Sequence, residues 1–144
     1  MTKTVFLRGK MSTFGGPEDH GVRPSEGVAI YDSSDVVWHH DHLQNPHNLF
    51  LVHQPKGTSG LARRLDTSEY YIATRWDYNQ TPRSFLQQTQ VTVIAAKTNK
   101  SFHAWPVDWG PNDGTGRIAD LSPGLAKDLG IETDDIVTVE IPLP

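Results

Sequence analysis

The chain has 144 residues, which suits one domain and leaves little room for a second. It has no cysteine, so a disulfide framework, a thiolate metal site and a cysteine nucleophile are all excluded. With 13 basic and 17 acidic residues the net charge is -4, which argues against a nucleic-acid-binding protein, because such a protein normally carries a basic face.

The N-terminal residues 1–10 show no apolar signal core and no small-residue cleavage site. We therefore expect synthesis in the cytosol, with release by lysis or in a phage particle, or an extracellular location if a signal has been removed. No apolar run approaches the roughly 20 residues that cross a membrane, so we expect no membrane span.

Short β-rich runs recur along the chain and predict an all-β fold. The clearest runs are residues 4–7, 28–31, 49–52, 70–74, 90–95 and 136–141. In the last run, Val137, Val139 and Ile141 alternate with residues that face the other way, which predicts a strand with one buried face. The polar, histidine-rich residues 38–48 are predicted to form a long loop.

One helix is predicted near the C terminus. Ser122 is a natural N-cap, and Pro123 suits the first helical position, where no N–H partner is missed. Gly130 can adopt the left-handed conformation that ends a helix. A second short helix is predicted around residues 59–65.

Two motifs carry a resemblance to a known family. Residues 107–111 read V-D-W-G-P and residues 116–122 read G-R-I-A-D-L-S, similar to the "D-R-G-P … G-R-x-I-D-L-S" run of rare lipoprotein A. The second motif also resembles the "H-F-D-L" of expansins and family 45 glycoside hydrolases. The resemblance covers about residues 91–141. It implies a six-stranded double-psi β-barrel with long N-terminal loops and one or two short helices, as a single domain over residues 1–144.

Asp108 and Asp120 are the predicted catalytic residues. They end one short segment, residues 109–119, so we expect them to face each other across a groove. Cleavage of a glycosidic bond needs a carboxylic acid with a raised pKa to protonate the leaving oxygen. Inverting hydrolysis adds a second carboxylate, whereas in a lytic transglycosylase the sugar's own hydroxyl attacks. By resemblance, Asp108 matches the acid proposed for lytic transglycosylases of this barrel type, and Asp120 matches the general acid of the family 45 hydrolases.

The predicted substrate-binding residues are aromatic and basic. Trp105, Trp109 and Trp76 are expected to stack on sugar rings, since an aromatic face suits the apolar side of a pyranose. Arg75 and Arg117 complete the set. If either arginine fills the space between the two aspartates with salt bridges, the chain is expected not to be an enzyme.

Each of these residues also has a structural interpretation. Asp120 precedes the predicted helix and can satisfy its backbone N–H groups, while Asp108 fits a plain turn. Tryptophans lie more often in the core than on a binding surface.

One departure from the family pattern concerns a histidine thought to assist catalysis, because Thr74 occupies its position. His103 is near in sequence, but strand alternation puts it on the opposite face from Asp108 unless a bulge intervenes. Asp19 or Glu18 is a further candidate for a second carboxylate.

His39, His40, Asp41 and His42 form a dense polar run. On an extended strand, His40 and His42 share a face, which makes them candidate ligands for zinc or copper. The spacing matches no metal motif, however, so we predict no cofactor and expect chelation in vitro rather than a role in vivo.

Three functions remain open. The first is an enzyme that cleaves peptidoglycan glycan strands, with a polysaccharide as its partner. The second is a non-catalytic module, which binds glycan, loosens it as expansins do, or builds a phage tail. The third is a metal-dependent oxidase or hydrolase that uses the histidine run.

Overall fold

A computed structural model describes residues 3–144, and it is an all-β protein built around a closed barrel. Its strands are β1 Thr4–Thr13, β2 Val37–His39, β3 His42–Gln44, β4 Tyr71–Thr74, β5 Val91–Ala95, β6 Ser101–Trp109, β7 Arg117–Leu121 and β8 Ile136–Pro142. The two α-helices are α1 Arg83–Leu86 and α2 Pro123–Leu129. No helix in residues 3–144 is long and apolar enough to span a membrane.

Six strands close the barrel in the order β1-β7-β4-β6-β5-β8. The pairs β1–β7 and β4–β6 are parallel, and the other four pairs are antiparallel. Closure leaves no free edge for another chain to pair with. The prediction of an all-β, six-stranded barrel with one or two short helices is confirmed, and the arrangement is compatible with a double-psi barrel.

The barrel interior follows from alternation along the strands. In β8 the side chains of Val137 and Val139 are fully buried and Ile141 nearly so, as predicted, while their neighbours are half-buried. The same period-two pattern in β5 buries Val91, Val93 and Ala95, which pack against the β8 residues in one hydrophobic cluster.

Helix α2 has the predicted ends. The Ser122 hydroxyl accepts a hydrogen bond from the backbone N–H of Leu125 at 3.2 Å, and Gly130 ends the helix with φ 74°. The same hydroxyl also accepts the backbone N–H of Tyr71 in β4 at 3.4 Å, so Ser122 ties the start of α2 to the barrel. The predicted helix at residues 59–65 is reduced to a single 3₁₀ turn, Ala62–Arg64.

Three sequence predictions about the N-terminal half are wrong. Residues 28–31 and 49–52 form no strand, although Ile30 and Leu49 are fully buried, because this segment packs its apolar side chains into the core while its backbone bonds to scattered partners. Residues 38–48 are not one loop, since β2 and β3 form a hairpin there. Its two turn residues, His40 and Asp41, have φ of 48° and 66°, as a two-residue type I′ turn requires.

Candidate functional site

Asp108 and Asp120 lie on either side of one residue of the barrel wall. Ala73 in β4 is in register with Asp108 of β6 and with Asp120 of β7. Residues in register share a face of the sheet, so both carboxyl groups project from the same side. Neighbouring strands are 4.7–4.9 Å apart, which puts the two Cα atoms about 9–10 Å from each other. Asp108, Ala73 and Asp120 are called the carboxylate row below.

A β-bulge in β6 sets the direction of Asp108. Ile72 pairs with Pro106 and Ala73 pairs with Asp108, so Val107 is the extra residue. Val107 is fully buried, and the bulge returns Asp108 to the outer side. Unbroken alternation would have put His103 and Asp108 on opposite faces, and the bulge reverses that relation. His103 nevertheless bonds through Nδ1 to the Thr92 hydroxyl at 3.1 Å, rather than to a carboxylate.

Asp108 is a half-buried carboxylate, and one of its two oxygens is engaged in hydrogen bonds. Its Oδ1 accepts hydrogen bonds from the backbone N–H groups of Ala29 at 2.9 Å and of Trp109 at 2.8 Å. Burial raises the pKa of Asp108 to about 6, the two N–H donors oppose that rise, and the negative charge of Glu26 adds to it. Asp108 lies in strand β6 and not in a turn. Its Oδ1 fixes the segment around Ala29 onto the barrel, while Oδ2 accepts no hydrogen bond from the described residues.

Asp120 has no hydrogen-bond partner among residues 3–144 that the structure describes. Burial raises the pKa of Asp120 to about 6, and the charges of Asp108 and Asp19 raise it further against the opposing effect of Arg117. The structural interpretation, in which Asp120 satisfies the N terminus of α2, is wrong, because Ser122 performs that task. Asp120 is thus a partly buried carboxyl group that the local structure does not use.

Asp19 is the third carboxylate near this site. Its two oxygens accept hydrogen bonds from the backbone N–H groups of Gly15 at 2.7 Å and Gly21 at 2.9 Å. These bonds fold residues 15–21 into a compact turn, so Asp19 organises the loop and acts on Asp120 through its charge. Glu18 is exposed at the edge of a cleft that Phe14, Asp19 and Pro123 also line.

The two arginines leave the carboxylate row unoccupied. Arg75 forms an ion pair with Asp113 at 2.9 Å and donates to the carbonyl oxygens of Pro111 and Arg117. Arg117 forms its own ion pair with Asp134 at 2.8 Å. Neither guanidinium group bonds to Asp108 or Asp120. Both arginines therefore brace the loop between β6 and β7, and Arg117 acts on Asp120 through its charge. Their role in substrate binding stays a prediction.

The three tryptophans occupy different environments. Trp76 is only 4% exposed, so it has no free face for a sugar ring, and its prediction as a stacking residue fails on burial. Trp105 is half-buried, and the imidazole of His47 stacks on it with ring centres 3.3 Å apart. Trp109 is 42% exposed, but it is in register with Thr74 and therefore faces away from the carboxylate row.

Thr74 does not contact the carboxylate row. It is in register with Ala119, and both are buried on the face of the sheet opposite to Ala73. The Thr74 hydroxyl is buried without a hydrogen-bond partner among the described residues. A histidine at this position would point away from Asp108 and Asp120, so its replacement by threonine leaves their surroundings unchanged.

Within residues 3–144 no group of three or more metal-binding side chains comes together, in the histidine run or elsewhere. His40 lies in the turn of the hairpin rather than on a strand, so it does not share a strand face with His42 as predicted. His42 pairs with His39 instead, and all three side chains are exposed.

Sequence reasoning missed one aromatic residue near the row. Tyr78 is 42% exposed, and the negative charge of Asp108 is among the causes that raise its pKa. Tyr78 lies 30 positions before Asp108 in the chain. No local pattern marks it, since only the pairing of β4 with β6 brings the two segments together.

Comparison with protein-family models gives no match to this chain, and comparison with curated proteins gives none either. The resemblance to rare lipoprotein A and the expansins therefore stays a prediction. What is known of the site is its geometry: a closed six-stranded barrel with two partly buried carboxyl groups that flank one alanine.

Proposed function

We propose that this protein cleaves the glycan strands of peptidoglycan by general acid catalysis at the carboxylate row. The observation that carries the proposal is the pair Asp108 and Asp120, which flank Ala73 on one face with pKa values of about 6 and no cation bonded to either. Raised carboxyl pKa values in a partly desolvated site are what acid catalysis of glycosidic bond cleavage requires.

Asp120 is the better proton donor of the two. No backbone N–H stabilises its ionised form, whereas Asp108 Oδ1 accepts two such bonds. Hydrogen bonds to the charged form favour ionisation, so the first proton lost from the pair leaves Asp108. In the resulting state Asp120 protonates the leaving oxygen, and the Asp108 carboxylate stabilises the positive charge that develops on the sugar.

The identity of the attacking group decides the product. If the Asp108 carboxylate activates water, the reaction is an inverting hydrolysis, which needs carboxyl groups about 6.5–9.5 Å apart. If it takes the proton of the sugar's own hydroxyl, the product is a 1,6-anhydro sugar, as in lytic transglycosylases. We favour the second route, because the motifs around Asp108 and Asp120 resemble those of rare lipoprotein A.

We also propose that the chain belongs to the family that its motifs resemble. A double-psi barrel of the rare lipoprotein A and expansin type is consistent with the closed six-stranded barrel and its two parallel strand pairs. It is also consistent with the positions of the two motif aspartates, which lie in β6 and β7, the two strands that pair with β4.

The test is a digestion of purified peptidoglycan with the products read by mass spectrometry. Anhydro-muropeptides that disappear in both Asp120→Asn and Asp108→Asn support the proposal, and reducing-end products lost in the same variants indicate hydrolysis. Glu132→Gln is the matched control, since it removes the charge of an exposed carboxylate. Products that persist in both aspartate variants, or no products from the wild type, would refute glycan cleavage by this pair.

A second candidate is a non-catalytic glycan-binding module. The two backbone hydrogen bonds to Asp108 Oδ1 favour it, because they give that carboxylate a structural task that needs no chemistry. A wild-type protein that binds peptidoglycan and releases nothing from it would establish this alternative.

A further inference from the structure

The face that carries the carboxylate row continues past Asp120 onto β1. Ser12 in β1 is in register with Asp120 in β7, so its side chain lies on the same face, about 4.8 Å further along the row. Ser12 is half-buried, and its hydroxyl bonds to no residue that the structure describes. The row is thus extended by a hydroxyl group that the fold does not use.

The cleft that Phe14 lines opens on this same face, beyond Ser12. Tyr71 lies two residues before Ala73 in β4, so both side chains are on the face of the row. The ring of Phe14 packs edge-on against that of Tyr71, with ring centres 5.2 Å apart, and the Tyr71 hydroxyl donates to the carbonyl oxygen of Phe14 at 2.8 Å. These contacts put the cleft next to the Asp120 end of the row.

The wall of the cleft is a loop that the fold holds in place. The N–H of Gly15 donates to Asp19 Oδ2 at 2.7 Å, and the N–H of Gly16 donates to the carbonyl oxygen of Ala62 at 2.9 Å. A Cβ at Gly16 would lie 2.2 Å from Thr67 Cγ2, which shows how closely the loop packs on the opposite wall. The cleft is therefore formed before a ligand binds, which lowers the entropic cost of binding.

The polar groups that line the cleft are of the kind that bind sugar hydroxyl groups. The hydroxyls of Thr13 and Thr67 and the carboxylate of Glu18 all line it, and none of them bonds to a residue that the structure describes. A hydroxyl both donates and accepts hydrogen bonds, and a carboxylate accepts them. Phe14 adds an apolar surface, and the volume of about 370 Å³ is within the usual range for small-molecule sites.

We propose that this cleft binds a sugar of the glycan strand on the Asp120 side of the carboxylate row, and that the Ser12 hydroxyl bonds to the glycan between the row and the cleft. The class of ligand rests on the proposed function. Since Asp120 protonates the leaving oxygen in that proposal, the sugar in the cleft is on the leaving side of the cleaved bond. The glycan then runs across β6, β4, β7 and β1, because Asp108, Asp120 and Ser12 follow one another across these strands.

Binding is measured in the Asp120→Asn protein, so that the glycan stays intact, by NMR and calorimetric titration with the hexamer of N-acetylglucosamine. The backbone amide signals of residues 13–19 are expected to shift on titration. Thr13→Trp places an indole in the cleft and is expected to weaken affinity about tenfold or more, and Ser12→Ala about fivefold, as for one net hydrogen bond. Thr4→Trp is the matched control, because Thr4 is an exposed threonine at the other end of β1.

The outcomes separate this inference from the proposed function. If the amides of the cleft shift and Thr13→Trp weakens binding while Thr4→Trp does not, the cleft is a glycan site even where the wild type cleaves no glycan. If the wild type cleaves glycan and Thr13→Trp changes neither KM nor affinity, the inference alone is refuted. Failure of Asp120→Asn to bind the hexamer, or amide shifts confined to residues outside the cleft, also overturns it. Thermal unfolding shows whether each variant is folded, and the amide shifts test the cleft without a substitution in it.

Discussion

Replacement of Asp120 by asparagine is expected to stabilise the protein at neutral pH. Burial keeps the carboxyl group from ionising freely, so its pKa rises from the ordinary 3.8 to about 6. In the unfolded chain the group ionises near its ordinary value, so folding must oppose ionisation between about pH 4 and pH 6. Asparagine has nearly the same shape as aspartate and no charge, so the folded protein no longer has to bury an ionised group at this position.

The sign and size of the expected change in stability follow from the shift in the pKa of Asp120. Because the folded pKa is raised, the folded state binds more protons than the unfolded state, and wild-type stability is lost as pH rises through about 6. A rise from 3.8 to about 6 corresponds to about 3 kcal/mol. Asp120 is partly exposed, so solvent screening reduces the expected gain in Asp120→Asn to about 1–2 kcal/mol at pH 7.

The assay is urea unfolding of wild type and Asp120→Asn at intervals from pH 3.5 to pH 8. The difference in unfolding free energy is expected to be near zero below the ordinary pKa of an aspartate and to level off above pH 7. Asp134→Asn is the control with the opposite sign, because the hydrogen bond from Arg117 lowers the pKa of Asp134. Asp134 has φ 74°, which asparagine tolerates well, so this variant tests charge alone.

If the difference in unfolding free energy between wild type and Asp120→Asn is the same at every pH in this range, Asp120 is not a buried ionisable group. A loss of stability in Asp120→Asn at pH 7 would show that the carboxylate makes a favourable contact in solution. Asp108→Asn is expected to show the same pH trend, since the amide oxygen can still accept from Ala29 and Trp109. Because the charge of Asp108 raises the pKa of Asp120, the double variant should gain less than the sum of the two single variants.

Three further predictions concern the parts that hold the site. Ser122→Ala should lower unfolding free energy by about 1 kcal/mol in urea, since it removes the cap of α2; no change would contradict the cap. A Cβ at Gly60 would lie 2.0 Å from the carbonyl oxygen of Glu26, so Gly60→Ala should lower the melting temperature, and an unchanged value would show that this contact relaxes. The pKa of Tyr78, followed by NMR of labelled tyrosine, should fall in Asp108→Asn because a nearby negative charge is removed, and a constant pKa would place the phenol elsewhere.

Local features of the fold were predictable from the sequence because they depend on neighbouring residues. The alternation in β8 fixed which of its residues are buried, since a strand has a strict period of two. The Ser122 cap and the Gly130 terminus of α2 were predictable for the same reason. The β2–β3 hairpin was not, because its turn uses His40 and Asp41 at positive φ where glycine or asparagine is more usual.

The candidate site was predictable only in its two aspartates. Their motif positions suggested proximity, but the shared neighbour Ala73 appears only once β4 pairs with both β6 and β7. The extra residue Val107 reverses the face of the residues after it in β6. Pro106, directly before it, is a local sign of an irregular strand, but it does not say which residue is the extra one. Long-range pairing, which no local pattern encodes, therefore determines which way the site residues point.

Asp120 is the residue whose presence the fold does not explain. Asp108 anchors Ala29, and Asp19 folds its own loop, so a structural need accounts for each of them. Asp120 bonds to no described residue, and burial and the neighbouring charges oppose its ionisation. An uncharged residue there would give a more stable barrel. A carboxyl group that destabilises the fold and is kept partly protonated near neutral pH is suited to donate a proton, which is why the first substitution to make is at Asp120.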